Sequence, residues 1–265
     1  MSIIDSFSNA YYTNCGVPQG SVLDPLLFLI CQRFAESIES SVSLIVNDRA
    51  LLLPSRCSLH LHQVLTRDLQ TLSNWSKFWN VNFDPEKTKV LTISKPHISH
   101  PVLTFNNIDL SETDSYKYFS LIFHRTLLWH HHILSIKKKT TLSLNRIKQL
   151  SHLASRRVLY TLHISCVLPI LDYGNVIFSN CSTSDSSLLE NIYSMAAKII
   201  LGCFRTSCNA AALADLNLIP LSNRRKLHML LLFYKIKNWS YLSCPQHVFT
   251  AEPRRNLSLF ISSCK

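Results

Sequence analysis

The string with the most chemical character is Gly16-Val-Pro-Gln-Gly-Ser-Val-Leu-Asp-Pro-Leu-Leu-Phe-Leu-Ile30. Gly16 and Gly20 permit backbone shapes and close approach that a Cβ would block. Pro18 stiffens the loop between them, and Ser21 is placed to cap the apolar helix that follows. Further along lie three basic clusters, Lys137-Lys138-Lys139, Arg156-Arg157 and Arg224-Arg225-Lys226. Each alone suits a solvated helix face, and together they could line a groove that binds phosphates. His130-His131-His132 beside Trp129 invites a metal reading. Consecutive residues on a helix point in different directions, however, so a solvated helix start is expected there. No Ser-His-Asp set, phosphate-binding glycine loop or redox cysteine pair offers another enzyme chemistry.

Two halves of different texture must position these groups. To about Phe123, short apolar strands accompany one good helix, on which Leu61, Leu65, Leu69, Leu72, Trp75 and Trp79 recur at helical spacing. Trp75, Phe78 and Trp79 therefore read as core residues. Asp84-Pro85 ends the pattern, and Val90 to Ile93 reads as a strand. Val102 to Phe105 and a return strand flank Asn106-Asn107, a plausible hairpin turn because Asn tolerates positive φ. Tyr116 to Phe123 is a further strand candidate. The second half is helical: Ile133 to Leu150, Arg156 to Leu171, Ser187 to Leu201 and Arg224 to Lys237 carry apolar residues three and four apart. From Ser243 onward the periodicity is weak, and a loosely held end is expected.

Composition narrows the class. A 265-residue chain with 47% hydrophobic and 16% charged residues can bury real cores and is globular. Its 27 Lys and Arg against 16 Asp and Glu give a net charge of +11, which implies a polyanionic partner. Nucleic acid is favoured over an anionic membrane, because no basic amphipathic helix stands out. The apolar stretches are too short to span a bilayer, and the N-terminus lacks signal-peptide character. The nine cysteines are scattered without a CxxC pair, which argues against structural zinc. An intracellular protein with reduced thiols, in nucleus or cytoplasm and not secreted, is the expectation.

The Gly16-Val-Pro-Gln-Gly-Ser21 string resembles the loop-and-helix motif of reverse transcriptases, and similar motifs follow in the family's order. Leu44-Ile-Val-Asn-Asp-Arg-Ala-Leu-Leu-Leu53 falls where the family carries its Tyr-Ala-Asp-Asp hairpin. Asn82-Phe-Asp-Pro-Glu-Lys-Thr-Lys-Val90 resembles the next motif, with Lys87 at its lysine. Tyr116-Lys-Tyr-Phe-Ser-Leu-Ile-Phe123 is similar to the Lys-Tyr-Leu-Gly strand that grips the primer end. Leu171-Asp-Tyr-Gly174 and Leu188-Leu-Glu-Asn-Ile192 are similar to segments of jockey-like, LINE-type elements. The chain is thus identified as a non-LTR retrotransposon reverse-transcriptase domain, truncated on its N-terminal side.

The resemblance implies an α+β fold. An incomplete palm, an antiparallel sheet with helices, would span 1–125, and an all-helical, thumb-like region would span 126–265. Gly16, Pro18, Gln19, Gly20 and Ser21 would meet the templating base and the incoming nucleotide. Tyr118, Phe119 and Ser120 would grip the primer, and Lys87 would sit beside the chemistry. Lys137, Lys138, Lys139, Arg156, Arg157, Arg224 and Arg225 would hold the backbone of RNA or an RNA–DNA hybrid.

In the family two Mg²⁺ ions drive the phosphoryl transfer, and they need converging carboxylates. Here the hairpin reads Asn47-Asp48, which leaves Asp48 as a remnant ligand beside a degenerate position. Only fifteen residues precede Gly16, so the first palm strand with its Asp is expected to be missing. Losing one strong charge contact costs on the order of a thousandfold in rate. Arg49 adds a positive charge beside the hairpin, Asp24 stands where the family has Gly, and Ser120 replaces the primer-grip Gly. A catalytically inert fragment of an RNA-directed DNA polymerase, a pseudoenzyme, is the leading expectation. The alternatives are a non-enzymatic, basic nucleic-acid-binding module and a decayed fragment without a cellular role.

Overall fold

The computed structural model describes residues 101–238 continuously, together with 2–3, 6–7, 21–23, 26, 38–45, 48–55, 57–79, 83–84, 86–93 and 257–263. Two short strands, β1 (Ser2–Ile3) and β2 (Ser6–Phe7), pair with each other. The first substantial unit is an antiparallel hairpin of β3 (Ser41–Ile45) and β4 (Asp48–Pro54). A 22-residue helix, α1 (Ser58–Trp79), follows, then β5 (Lys89–Ile93). The predicted apolar stripe is real: Leu61, Leu65, Leu69 and Leu72 are buried and pack with Leu51, Leu53, Val90 and Phe105. Trp75 packs at the edge of this core. Phe78 and Trp79 do not join it. Phe78 is 81% exposed, since six residues beyond Leu72 it points away from the stripe, and it meets Trp79 edge-to-face.

Two further hairpins differ in how clearly their turns were encoded. β6 (Thr104–Phe105) and β7 (Ile108–Asp109) flank Asn106 and Asn107, at φ 51° and 62°. That is the expected two-residue turn with both central residues left-handed. The segment expected as one strand over 116–123 is instead a second tight hairpin. Its strands are β9 (Ser115–Tyr118) and β10 (Leu121–His124), and Phe119 and Ser120 turn between them at φ 45° and 62°. An edge strand, β8 (Ser111–Glu112), lies parallel to β5. Residues 257–263, in the stretch expected to be loose, form β11 (Leu257–Ser263), antiparallel to β4 on one side and β5 on the other. The main sheet therefore runs β3-β4-β11-β5-β8.

The helical half follows the sequence periodicity closely. Its members are α2 (His130–Leu150), α3 (Arg156–Leu162), a π-helical stretch (His163–Val167), α4 (Leu168–Asp172), α5 (Thr183–Leu201), α6 (Asn209–Asp215) and α7 (Leu221–Asn238). The predicted helix over 156–171 is thus one run with a π-bulge, which precedes Pro169, a residue with no N–H to offer the previous turn. The helix expected from Ser187 starts earlier, at Thr183, because Ser182 caps it by accepting a hydrogen bond from the Asp185 amide. Gly202, at φ 70°, ends it in the left-handed conformation. One core joins these helices to Leu121 of β10 and includes Ile133, Leu171, Phe178, Leu189 and Tyr193. Among the described residues no helix is long and apolar enough to cross a membrane. The architecture is mixed helix and sheet, in line with an α+β class.

Candidate functional site

Five of the predicted site residues, Gly16, Pro18, Gln19, Gly20 and Asn47, lie outside the described residues. Ser21 is half-buried, and its hydroxyl has no hydrogen-bond partner among the described residues. The two strands of the hairpin that should carry the carboxylates, β3 and β4, are present and antiparallel. Ile45 of β3 faces Asp48 of β4 in register, and Asp48 is the first residue of β4. Lys87 is exposed and pairs with Asp84 at 3.4 Å.

The base of this hairpin is fixed by a residue not foreseen. Asp68 of α1 is 1% exposed and accepts hydrogen bonds from the backbone N–H of Ser40 (2.9 Å) and Glu39 (3.3 Å). Arg67 adds an ion pair to Glu39. A buried carboxylate costs free energy unless it is hydrogen-bonded, and here the two amides leading into β3 supply the bonds. The clue in the sequence is an Asp placed inside the Leu61–Leu65–Leu69–Leu72 stripe.

The resemblance implies two Mg²⁺ ions held by converging carboxylates. Among the described residues no group of three His, Cys, Asp or Glu side chains converges as a metal site. Asp68 is committed to backbone amides, and the position beside Asp48 is a neutral Asn47.

The second hairpin connects the sheet to the helices. The Tyr118 hydroxyl donates to the Ser43 hydroxyl of β3 (3.2 Å), which ties it to the Asp48 hairpin. The Tyr118 and Phe119 rings lie 4.1 Å apart. The Phe119 carbonyl accepts a hydrogen bond from the Tyr173 hydroxyl (2.8 Å). Ser120 is exposed and, with His132, Lys139 and Tyr173, lines a pocket of about 280 Å³ at the junction of the halves.

The three histidines go three ways. His130 Nδ1 pairs with Asp185 at 2.7 Å, and His131 stacks on His124. His132 is only 3% exposed, and its Nδ1 accepts the Ile122 amide at 3.4 Å. The solvated helix start expected for them is therefore wrong for His132, which the β10 strand covers. Burial, helped by the nearby Lys139 charge, lowers its pKa to about 4 and keeps it neutral. Burial also pushes the Asp185 carboxyl up. Hydrogen bonds from Ser182 and His130, with the His130 charge, outweigh that and hold it below its ordinary value.

The basic clusters divide. Lys137, Lys138, Lys139, Arg156 and Arg157 are exposed, and among the described residues no ion pair engages them. Arg224 instead forms a two-pronged pair with Asp172. Arg225 is buried: it donates to Ser186 (3.1 Å), and its guanidinium lies 5.7 Å from the Phe178 ring centre. A second unforeseen group lies nearby. His163 is fully buried in the π-bulge against Tyr193, and neither its ring nitrogens nor the Tyr193 hydroxyl has a hydrogen-bond partner among the described residues. Burial, with the Arg224 charge in support, lowers the His163 pKa to about 4, and burial raises that of Tyr193 to about 12.

Comparison with known proteins gives one kind of relative. The chain is 26% identical over 244 residues to a Drosophila melanogaster protein named "Probable RNA-directed DNA polymerase from transposon BS", covering 84% of the chain and 26% of that protein. It is 31% identical over 140 residues to the RNA-directed DNA polymerase from mobile element jockey of Drosophila funebris, covering 49% of the chain and 15% of that protein. A third, "Probable RNA-directed DNA polymerase from transposon X-element" of Drosophila melanogaster, is 23% identical over 84% of the chain and 26% of its own length. The chain thus spans about a quarter of the first and third of these relatives. No protein-family model and no solved structure matches it.

Proposed function

Since the chain belongs to the reverse transcriptases of jockey-like, non-LTR retrotransposons, we propose that it is the palm-hairpin-to-thumb portion of an RNA-directed DNA polymerase that holds nucleic acid without polymerising. The division is a palm over 1–125 and a helical, thumb-like region over 126–265. The reading is supported by the pairing of β3 with β4, which begins at Asp48, and by the sequence Asn47-Asp48, a degenerate form of the family's paired carboxylates. A single carboxylate leaves most of the charge of two Mg²⁺ ions unbalanced, and Asn is a weak neutral ligand. The loop at Gly16 to Ser21 would face template and nucleotide, and the Tyr118-Phe119-Ser120 turn the primer end. These residue roles follow from the motif resemblance, and the names of the longer relatives state only an RNA-directed DNA polymerase.

The test is primer extension by the purified 265-residue chain on a primed RNA template, with nucleotides and Mg²⁺ or Mn²⁺. Extension no higher than that of an Asp48→Ala variant is expected. Reproducible extension that vanishes with Asp48→Ala would overturn the inert reading.

A second reading, a non-enzymatic nucleic-acid-binding module, draws on Lys137 to Lys139 with Arg156 and Arg157. Exposed cations without an ion pair are available to phosphates, and each contact would release condensed counterions. RNA or an RNA–DNA hybrid is the partner under either reading.

A further inference from the structure

Phe119 and Ser120 hold consecutive positive φ angles of 45° and 62°. Neither is Gly, Asn or Asp, so the turn is strained and must be held by its surroundings. What holds it is a short turn that neither reading of the function has used, Asp172-Tyr173-Gly174-Asn175 after α4. Its residues divide by direction. Asp172 pairs with Arg224, and the buried Asn175 lies 2.8 Å from His228 Nδ1, so its outer two residues fasten to α7. The inner two face the hairpin. The Tyr173 hydroxyl donates to the Phe119 carbonyl at 2.8 Å. Gly174 sits at φ 65° against Leu121, so close that a Cβ there would lie 2.8 Å from Leu121 Cδ2.

We infer that Asp172-Tyr173-Gly174-Asn175 is a latch that transmits the position of α7 to the Phe119-Ser120 turn, and that Tyr173 is a positioning residue for whatever that turn grips. The geometry of the latch stands by itself. The statement that the gripped group is a nucleic-acid end rests on the proposed function. Tyr173 contributes nothing chemical; it acts by keeping one carbonyl, and hence two left-handed residues, in place. Gly174 is required twice over, because any side chain would meet both the positive φ and Leu121.

Two measurements on the full chain test this, with Tyr173→Phe, Ser120→Gly and the double variant. The first is amide hydrogen exchange at Tyr118 and Leu121, the pair that closes the turn. Tyr173→Phe should speed exchange there several-fold and leave α5 unchanged. Ser120→Gly relieves the left-handed strain, so adding it should restore slow exchange. The second is the ratio of affinities for an RNA–DNA hybrid with a recessed DNA 3′ end and for the same hybrid made blunt. The parent chain should prefer the recessed end, Tyr173→Phe should lose most of that preference, and the double variant should regain it. Unchanged exchange in Tyr173→Phe would overturn the latch. Faster exchange with the end preference intact would overturn the positioning role. Faster exchange in Tyr173→Phe, with no end preference in the parent chain, would keep the latch and reject the primer-end reading.

Discussion

The helical half buries two histidines, whereas the buried polar group that fixes the sheet half is a carboxylate. In the sheet half the key buried group is Asp68, a carboxylate whose acceptors are filled by the backbone amides of Ser40 and Glu39. In the helical half His132 and His163 are buried as neutral rings, and His163 has no hydrogen-bond partner among the described residues. The first half is also stitched over long distances, with β11 from the far end of the chain lying between β4 and β5. The second is built from neighbours three and four residues apart around one core. A buried neutral histidine gives way in acid, so the helical half should weaken as the pH falls. The halves should therefore fail under different conditions.

Acid gives the largest expected difference. Both histidines ordinarily titrate at 6.5 and are lowered to about 4 in the folded chain. Protons thus bind the unfolded state first, so the stabilising preference for neutral rings is complete above pH 6.5 and is lost as pH falls towards 4. Each histidine should remove up to about 3 kcal/mol over that window. Urea titrations at pH 7.5 and 4.5, followed at Trp129 in the helical core and Trp75 on α1, should show the Trp129 transition moving much further. His163→Phe should remove roughly half of that shift. Equal acid shifts at both tryptophans would erase the contrast between the halves.

A smaller effect should appear in the other half. Asp68→Ala leaves the buried Ser40 amide and the part-buried Glu39 amide without an acceptor, at a cost of about 2 kcal/mol. The loss should be visible at pH 7.5 in the Trp75 transition, with the Trp129 transition almost unmoved. Asp68→Asn keeps one carbonyl acceptor and should lose less. If Trp129 responds to Asp68→Ala as strongly as Trp75, the halves unfold as one unit.

Much of this architecture was legible because its determinants are local. The α1 stripe, the four long helices and the Asn106-Asn107 turn follow from side-chain periodicity and from a residue type that accepts positive φ. The Phe119-Ser120 turn was read as strand because its residue types carry no turn signal; the Tyr173 hydroxyl and packed Gly174 that hold it are fifty residues away in the chain. β11 was missed for a related reason: its two neighbours lie far earlier in the sequence. The short α6 was missed because Ala210-Ala211-Ala212 shows no apolar periodicity. At the site, the hairpin was legible only through the resemblance of Leu44–Leu53 to the family's hairpin motif. The basic residues were legible in number but not in use, since sequence alone cannot tell exposed Lys137 from buried Arg225.

The central claim, that this chain holds nucleic acid through its helical half, is tested most directly by filter binding of an RNA–DNA hybrid over a series of salt concentrations. The parent chain is compared with a Lys137→Gln, Lys138→Gln, Lys139→Gln variant. These exposed lysines contribute little to stability, so the variant should melt as the parent does. If each meets a phosphate, the slope of log affinity against log salt should become shallower by roughly 2 to 3, in proportion to the counterions no longer released. Parallel lines for parent and variant would contradict the account and reduce the binding to a diffuse effect of the +11 net charge.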